Sequence, residues 1–184
     1  MSSNDLWHLE GVEKDGQSIT QDWTFVTADL IEGVALKEIR NVPKQNGYLT
    51  EIFRQDWFDG LEHVDQIFQV VLFPGGLSAW HAHAKTTDRL FVSDGLVRVA
   101  LYDDRPESST RGRINEFRLG TIRPGLVAIP PGVWHGVQNI GDRTSTILNI
   151  VDAAYDYESP DHWRLPSDTD EIPFSFGRKR AGDL

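Results

Sequence analysis

With 184 residues the chain is long enough for one substantial core and short for two. It has no cysteine, which excludes disulfides and thiolate chemistry, and its formal net charge of −10 repels nucleic acid and anionic membranes, leaving a small anionic ligand held by local cations as the electrostatic possibility. No apolar run reaches the roughly 20 residues that cross a bilayer, and residues 1–5 lack the basic and apolar regions of a secretory signal, so a cytoplasmic location is expected.

Residues 1–30 mix charge with Trp7, Trp23 and Phe25 without a helical period. They read as an irregular arm with one strand near residues 18–26, of the kind that covers a sheet edge or a partner. Residues 33–40 read as a strand, followed by a turn through Pro43–Gly47; Asn46-Gly47 ahead of residues 48–54 is a hairpin signal. Residues 55–64 read as a short helix. From Gln66 the strands come at close spacing, at 66–73, 77–83, 88–93, 96–102, 116–119, 126–129, 136–139 and 145–151. Turn residues punctuate them, among them Pro74-Gly75-Gly76, Asp94-Gly95 and Pro130-Pro131-Gly132. Many short strands with regular turns predict an antiparallel sandwich or barrel in a single all-β domain spanning 1–184: arm 1–30, barrel 33–158, tail 159–184. The tail, with prolines at 160, 166 and 173, is expected to wrap the surface before a solvated Arg178-Lys179-Arg180 end.

Two stretches carry the chemistry. In Gly75–Gly95, His81 and His83 stand two apart, so on a strand both project from one face about 7 Å apart, and Asp88 follows on the next strand. Two imidazoles and a carboxylate can bind a metal or form an acid/base site. In Gly125–Asn139 an apolar strand enters Pro130-Pro131-Gly132 and leaves with His135. Arg89 and Arg98 lie close to the first stretch and can supply an anion-binding patch. Trp80 and Trp134 each precede a motif histidine and belong on the opposite strand face, in packing. His8, His63 and His162 have no partner pattern and read as surface or packing residues, and Arg105 and Glu107 read as the ion-pairing residues of the loop 103–112.

Together the two stretches resemble the paired motifs of the cupin superfamily, with Asp88 at the usual glutamate and one residue fewer before Pro130. The resemblance implies a cupin-type double-stranded β-helix, or jelly-roll barrel, with a ligand cavity lined by these residues. Within cupins, Asn46–Glu51, Asp88–Gly95, Tyr102–Gly112 and Ile129–Gly136 are similar to the dTDP-4-dehydrorhamnose 3,5-epimerases, most specifically in the loop Asp103–Gly112. That family implies a homodimer, a nucleotide-sugar (dTDP-4-keto-6-deoxyhexose) ligand in the barrel mouth, no cofactor, and neither nucleic-acid nor membrane partners. His81 matches the family's general base, Gln66 a substrate-contacting glutamine, and Arg89 falls near a pocket lysine. The chain departs from the pattern at Ser78-Ala79-Trp80, where a substrate arginine is usual, at Asn46 in place of a nucleotide-gripping arginine, and at Leu148-Asn149, where the catalytic tyrosine is usual. It also lacks the C-terminal aspartate that partners the base, with Asp152, Tyr155 and Asp168 as possible substitutes.

The expected catalytic residues are thus His81 as base, Tyr155 as acid and His83 as a second acid/base, with Gln66, Arg89, Arg98, His135 and Asn149 binding substrate and Arg89 stabilising the enolate. The HAH pair and the Pro-Pro-x-x-Trp-His run are also similar to dTDP-sugar 3,4-ketoisomerases. Two other readings stand beside these. His81, His83, Asp88 and His135 form a donor set compatible with Fe, Mn, Ni or Zn, for dioxygenase or isomerase chemistry. A non-catalytic sugar-nucleotide-binding relative is the other.

Overall fold

The computed structural model describes residues 10–12, 14, 16–23, 29–60 and 63–177. The arm's expected strand is described only as far as Trp23, and residues 24–26, together with Trp7, His8, Phe25 and the Arg178-Lys179-Arg180 run, lie outside the described residues.

Alternating apolar residues and turn signals build twelve strands among the described residues. They are β1 (Ala35–Glu38), β2 (Asn41–Lys44), β3 (Gly47–Thr50), β4 (Gln66–Leu72), β5 (Leu77–Ala82), β6 (Asp88–Asp94), β7 (Leu96–Asp103), β8 (Ile114–Gly120), β9 (Gly125–Ile129), β10 (Val133–Asn139), β11 (Ser145–Val151) and β12 (Trp163–Arg164). Two antiparallel five-stranded sheets face each other, one ordered β1-β9-β6-β11-β4 and the other β12-β5-β10-β7-β8, in a jelly-roll. The expected all-β barrel is therefore present. Two local expectations change. Residues 41–44, including Pro43, form a strand of the small β2–β3 hairpin, where the ring of an edge proline costs no ladder bond. The expected helix at 55–64 is a single 3-10 turn, Gln55–Trp57.

Inward-facing aliphatic side chains fill one end of the barrel. Val97, Val99, Leu101, Leu119, Val127, Ile129, Val133 and Ile147 are almost wholly buried there. Each such side chain stabilises the fold by about 1.5–3 kcal/mol. On the outer face of the second sheet, Trp80 is fully buried against Phe174 and Phe176, with Ile172 and Trp134 in the same cluster. Both tryptophans thus pack outside the barrel, as expected, and the tail does wrap the surface. It also supplies β12, a strand too short to read from sequence, which pairs beside β5 with Trp163 opposite Ala82 and Arg164 opposite His81.

The loop between β7 and β8 is held by Asp103, which is fully buried and accepts from Arg105 Nε (2.8 Å), Ser108 Oγ (2.6 Å) and Thr110 Oγ1 (2.7 Å). The expected ion pair of Arg105 is made to Asp103, and Glu32 anchors the same loop through Ser109. These bonds hold the Asp103 carboxyl well below the usual range despite its burial.

Candidate active site

The barrel end opposite the aliphatic core holds a cavity of about 420 Å³, within the roughly 300–1,000 Å³ of small-molecule sites. Its floor is apolar, with Leu90, Val137 and Ile147, and its wall and mouth carry Ser78, His81, His83, Lys85, Asp88, His135, Asn149, Asp161, His162 and Arg164.

Register explains the gathering. His81 and His135 are direct partners across β5 and β10, so both rings project inward, and their centroids lie 6.1 Å apart. His83 follows His81 by two residues and lies against His135 at 5.5 Å. Asp88 begins β6 in the facing sheet, and its Oδ2 lies 3.2 Å from His83 Nε2 and 3.0 Å from His135 Nε2. The two sequence motifs therefore meet inside one cavity.

Ser78 joins them through a bulge. Four residues of β5, Ser78 to His81, lie against three of β10, Val137 to His135, so Ser78 and His81 share a face although three apart. Ser78 Oγ lies 2.8 Å from His81 Nε2. Opposite the bulge, any Cβ on Gly136 would lie 2.4 Å from the Ala79 side chain, so only glycine fits.

His81 Nδ1 lies 2.9 Å from His162 Nε2, and the two rings are 4.9 Å apart. This corrects the reading of His162 as a surface or packing residue. His162 stands beside His81, whereas Asp152 is bonded to the Thr87 amide and Asp168 is exposed on the tail. Tyr155 reaches the cavity mouth, but its ring is half-exposed and packs edge-on to Tyr157. Gln66 lines the cavity with its Oε1 accepting from the Tyr155 amide (3.0 Å). Asn149 also lines it, donating to Asp88 Oδ1 (3.0 Å) and accepting from the Arg89 amide (3.2 Å), so it orients the carboxylate.

Both arginines expected at the site are elsewhere. Arg89 neighbours Asp88 on β6 and points to the outer face, fully buried over Phe53 and donating to the Ile150 carbonyl at 3.2 Å. Arg98 likewise projects outward from β7, where it donates to Gln138 Oε1 and the Phe176 carbonyl and stacks on Phe174 and Phe176. The cations that do line the cavity are Lys85 and Arg164. The expected donor set of three histidines and Asp88 is also smaller: the donors of His83, Asp88 and His135 lie within 4.8 Å of one another, and His81 is engaged by Ser78 and His162.

The imidazoles divide electrostatically. Burial, then the charges of His135, Arg164, His162 and His83, push His81 down to about 3, so it is neutral at physiological pH. His162 is lowered too, by burial and Arg164. Burial also acts to lower His83, but the hydrogen bond and charge of Asp88 outweigh it and raise the ring above its ordinary value. Asp88 is held well below the carboxylate range, burial notwithstanding, by its bonds to His135 and His83. One cavity thus holds an imidazole pushed far below its ordinary value and another raised above it, so the two hold a proton with different strength.

Residues 29–176 match the profile of the family described as dTDP-4-dehydrorhamnose 3,5-epimerase. The chain belongs to this epimerase family. It is 34% identical over 139 residues to the probable low-salt glycan biosynthesis epimerase Agl13 of Haloferax volcanii, covering 75% of this chain and 89% of that one. It is 33% identical over 147 residues to the spore coat polysaccharide biosynthesis protein SpsL of Bacillus subtilis, covering 80% and 97%. Among solved structures, a dTDP sugar isomerase from Desulfovibrio desulfuricans superposes with a TM-score of 0.73 at 32% identity, over 80% of this chain and 94% of that one. As a member of the epimerase family the chain is a carbohydrate epimerase or isomerase, and His81, His83, Asp88, His135 and His162 line one cavity of it. Among the described residues no helix is long and apolar enough to cross a membrane.

Proposed function

We propose that the substrate is a nucleoside-diphosphate 4-keto-6-deoxyhexose and that His81 removes the proton from a carbon beside the ketone. The observation that carries this reading is His81 itself: a neutral imidazole in the wall of a cavity, its Nε2 held by the Ser78 hydroxyl, across from the His83 ring that Asp88 holds at 3.2 Å. A neutral ring accepts a proton, and a ring whose hold on its proton a neighbouring carboxylate strengthens can carry one to return to the enolate. His83 is the acid in this reading, in place of Tyr155. Lys85 and Arg164 at the rim meet the phosphates, and His135 contacts the sugar ring. In deuterated buffer the wild type incorporates deuterium next to the ketone, and His81→Asn abolishes it; incorporation at the wild-type rate in that variant would remove His81 from the base role. Product analysis then separates epimerisation from migration of the ketone, which an acid at His83 also permits.

A second reading rests on hydrogen-bond direction. The Nδ1–H of His83 donates to the Asp161 carbonyl and that of His135 to the Val133 carbonyl (3.1 Å), which leaves both Nε2 atoms turned to one carboxylate oxygen. Backbone carbonyls behind two imidazoles are the outer shell typical of metal-bound histidine. His83, Asp88 and His135 would hold an Fe, Mn, Ni or Zn ion, which supplies a Lewis acid for the ketone. Near-stoichiometric metal in protein purified without chelator, lost in Asp88→Asn, supports this reading, and metal-free protein of full activity removes it.

A homodimer is part of the proposal. Strand β4 is a sheet edge, and Ile67, Val71 and Phe73 on and beside it are exposed apolar residues of the kind a second copy covers. Light scattering of the wild type and Ile67→Lys tests it, with the dimer mass expected only for the former. A cytoplasmic address follows from the substrate, whose phosphates keep it from crossing a membrane.

A further inference from the structure

The tail segment 160–164 does more than close the cavity mouth. The Asp161 carboxylate accepts from the backbone amides of Ala84 (2.7 Å), Lys85 (2.8 Å) and Thr86 (3.1 Å) and from Thr86 Oγ1 (3.1 Å), stapling the tail to the turn that follows His83. The Asp161 carbonyl accepts from His83 Nδ1, and the next side chain, His162, meets His81 Nδ1 at 2.9 Å. Pairing of Trp163 with Ala82 and Arg164 with His81 fixes this register. Two consecutive residues therefore touch both motif histidines, each at the ring nitrogen away from its partner in the cavity.

We propose that Asp161-His162 is the positioning element of the active centre, setting the tautomer and ring orientation of His81 through the His162 ring and of His83 through the Asp161 carbonyl. His162 Nε2 accepts from His81 Nδ1–H, which leaves the lone pair of His81 on Nε2, beside Ser78 and toward the substrate space. The Asp161 carbonyl keeps the His83 proton on Nδ1 and turns its Nε2–H to Asp88. Because the partner of His81 is an imidazole, the pair gains a positive charge on taking the substrate proton, next to the enolate that forms. His162 is a positioning residue: it acts through His81 and need not touch the sugar. The inference rests on the reading of His81 as the base.

The test uses two independent readouts. Ring nitrogens of 15N-histidine-labelled full-length protein are observed without substrate, with His81 assigned from its loss in His81→Asn. The wild type is expected to show His81 protonated at Nδ1 alone. His162→Leu is expected to move that proton to Nε2, and His162→Gln, whose carbonyl can accept the same bond, to keep it on Nδ1. In steady-state kinetics with a nucleoside-diphosphate 4-keto sugar, His162→Leu should lower kcat by about 10- to 100-fold with KM within about threefold, and His162→Gln should recover most of the loss. Asp161→Ala should alter the ring signals of both His81 and His83. An unchanged His81 tautomer in folded His162→Leu, or a change confined to KM, overturns the proposal, as do unaltered His81 and His83 signals in Asp161→Ala. Should His162→Leu not fold, His162→Asn, too short to reach Nδ1, is judged by the same criteria. If the wild type turns over no 4-keto sugar, the functional reading fails while the ring spectra still decide the positioning role.

Discussion

The two sides of the cavity are built from the same side chain and given opposite properties. On one side His81 meets a hydroxyl and another imidazole, with Arg164 nearby, and it is uncharged. On the other, His83 and His135 share the Asp88 carboxylate, and the His83 ring is held above its ordinary value. His81 and His135 stand on adjacent strands of one sheet and His83 just past the end of the first, all three rings largely buried, so burial does not separate them. The difference comes from the facing sheet, which delivers a carboxylate to one side only. A strand pair can therefore hold imidazoles of different proton affinity when a single anion from a second layer reaches only one of them.

The largest effect should come from removing the base while keeping the acid side. His81→Asn is expected to lower exchange beside the ketone by about 1,000-fold, in the middle of the range of general-base contributions. His83→Asn should instead slow turnover while deuterium wash-in continues, because abstraction needs only the base. Equal loss of exchange in both variants would erase the functional distinction between the two sides. Next in size is Asp88→Asn. It leaves His83 and His135 with an amide in place of a buried carboxylate and should cost about 3 kcal/mol of stability by denaturant titration.

Acidity separates the two sides by sign. His81 ordinarily titrates near 6.5 and is pushed down to about 3 in the fold, so the unfolded chain takes its proton first as pH falls. Stability from His81 is therefore lost on acidification between 6.5 and 3. His83 is raised, so its contribution is fully present below 6.5 and is lost as pH rises through its folded value. Between pH 8 and pH 5 the wild type should lose about 2 kcal/mol more stability than His81→Asn. Over the same span His83→Asn should differ from the wild type in the opposite direction. Parallel stability curves for all three proteins would show that the rings share one environment.

How much of this was legible follows from strand parity. Alternation places His81 with His83 and puts Trp80 outside, and turn residues bounded most of β4 to β11 to within a residue or two, although β10 begins at Val133 and so includes His135, three residues before the expected start. The same rule, applied further, excludes Arg89, which is next to the inward Asp88, and Arg98, which is flanked by the inward Val97 and Val99. Proximity to the motif in sequence was the weaker argument. Ser78 was hidden because a bulge breaks parity, and no sequence signal marks that bulge except the glycine opposite it, Gly136. His162 was hidden for another reason. It precedes a two-residue strand in a proline-rich tail, and its partner is 81 positions away, so neither periodicity nor spacing could join them.

The smallest expected effect concerns Tyr155, which sequence position suggested as the acid. Its backbone amide is tied to Gln66, while its ring is 50% exposed and rests against Tyr157 at 5.4 Å, outside the cluster formed by His81, His83, Asp88, His135 and His162. A proton donor must reach the reacting carbon or oxygen. The carboxylate that tunes an acid here faces His83 instead. Tyr155→Phe is therefore expected to change kcat by less than about threefold, with any larger change in KM reflecting its place at the mouth. A loss near that of His83→Asn would move the acid from the Asp88 side of the cavity to the tail, and the contrast between the two sides would then describe binding and not proton transfer.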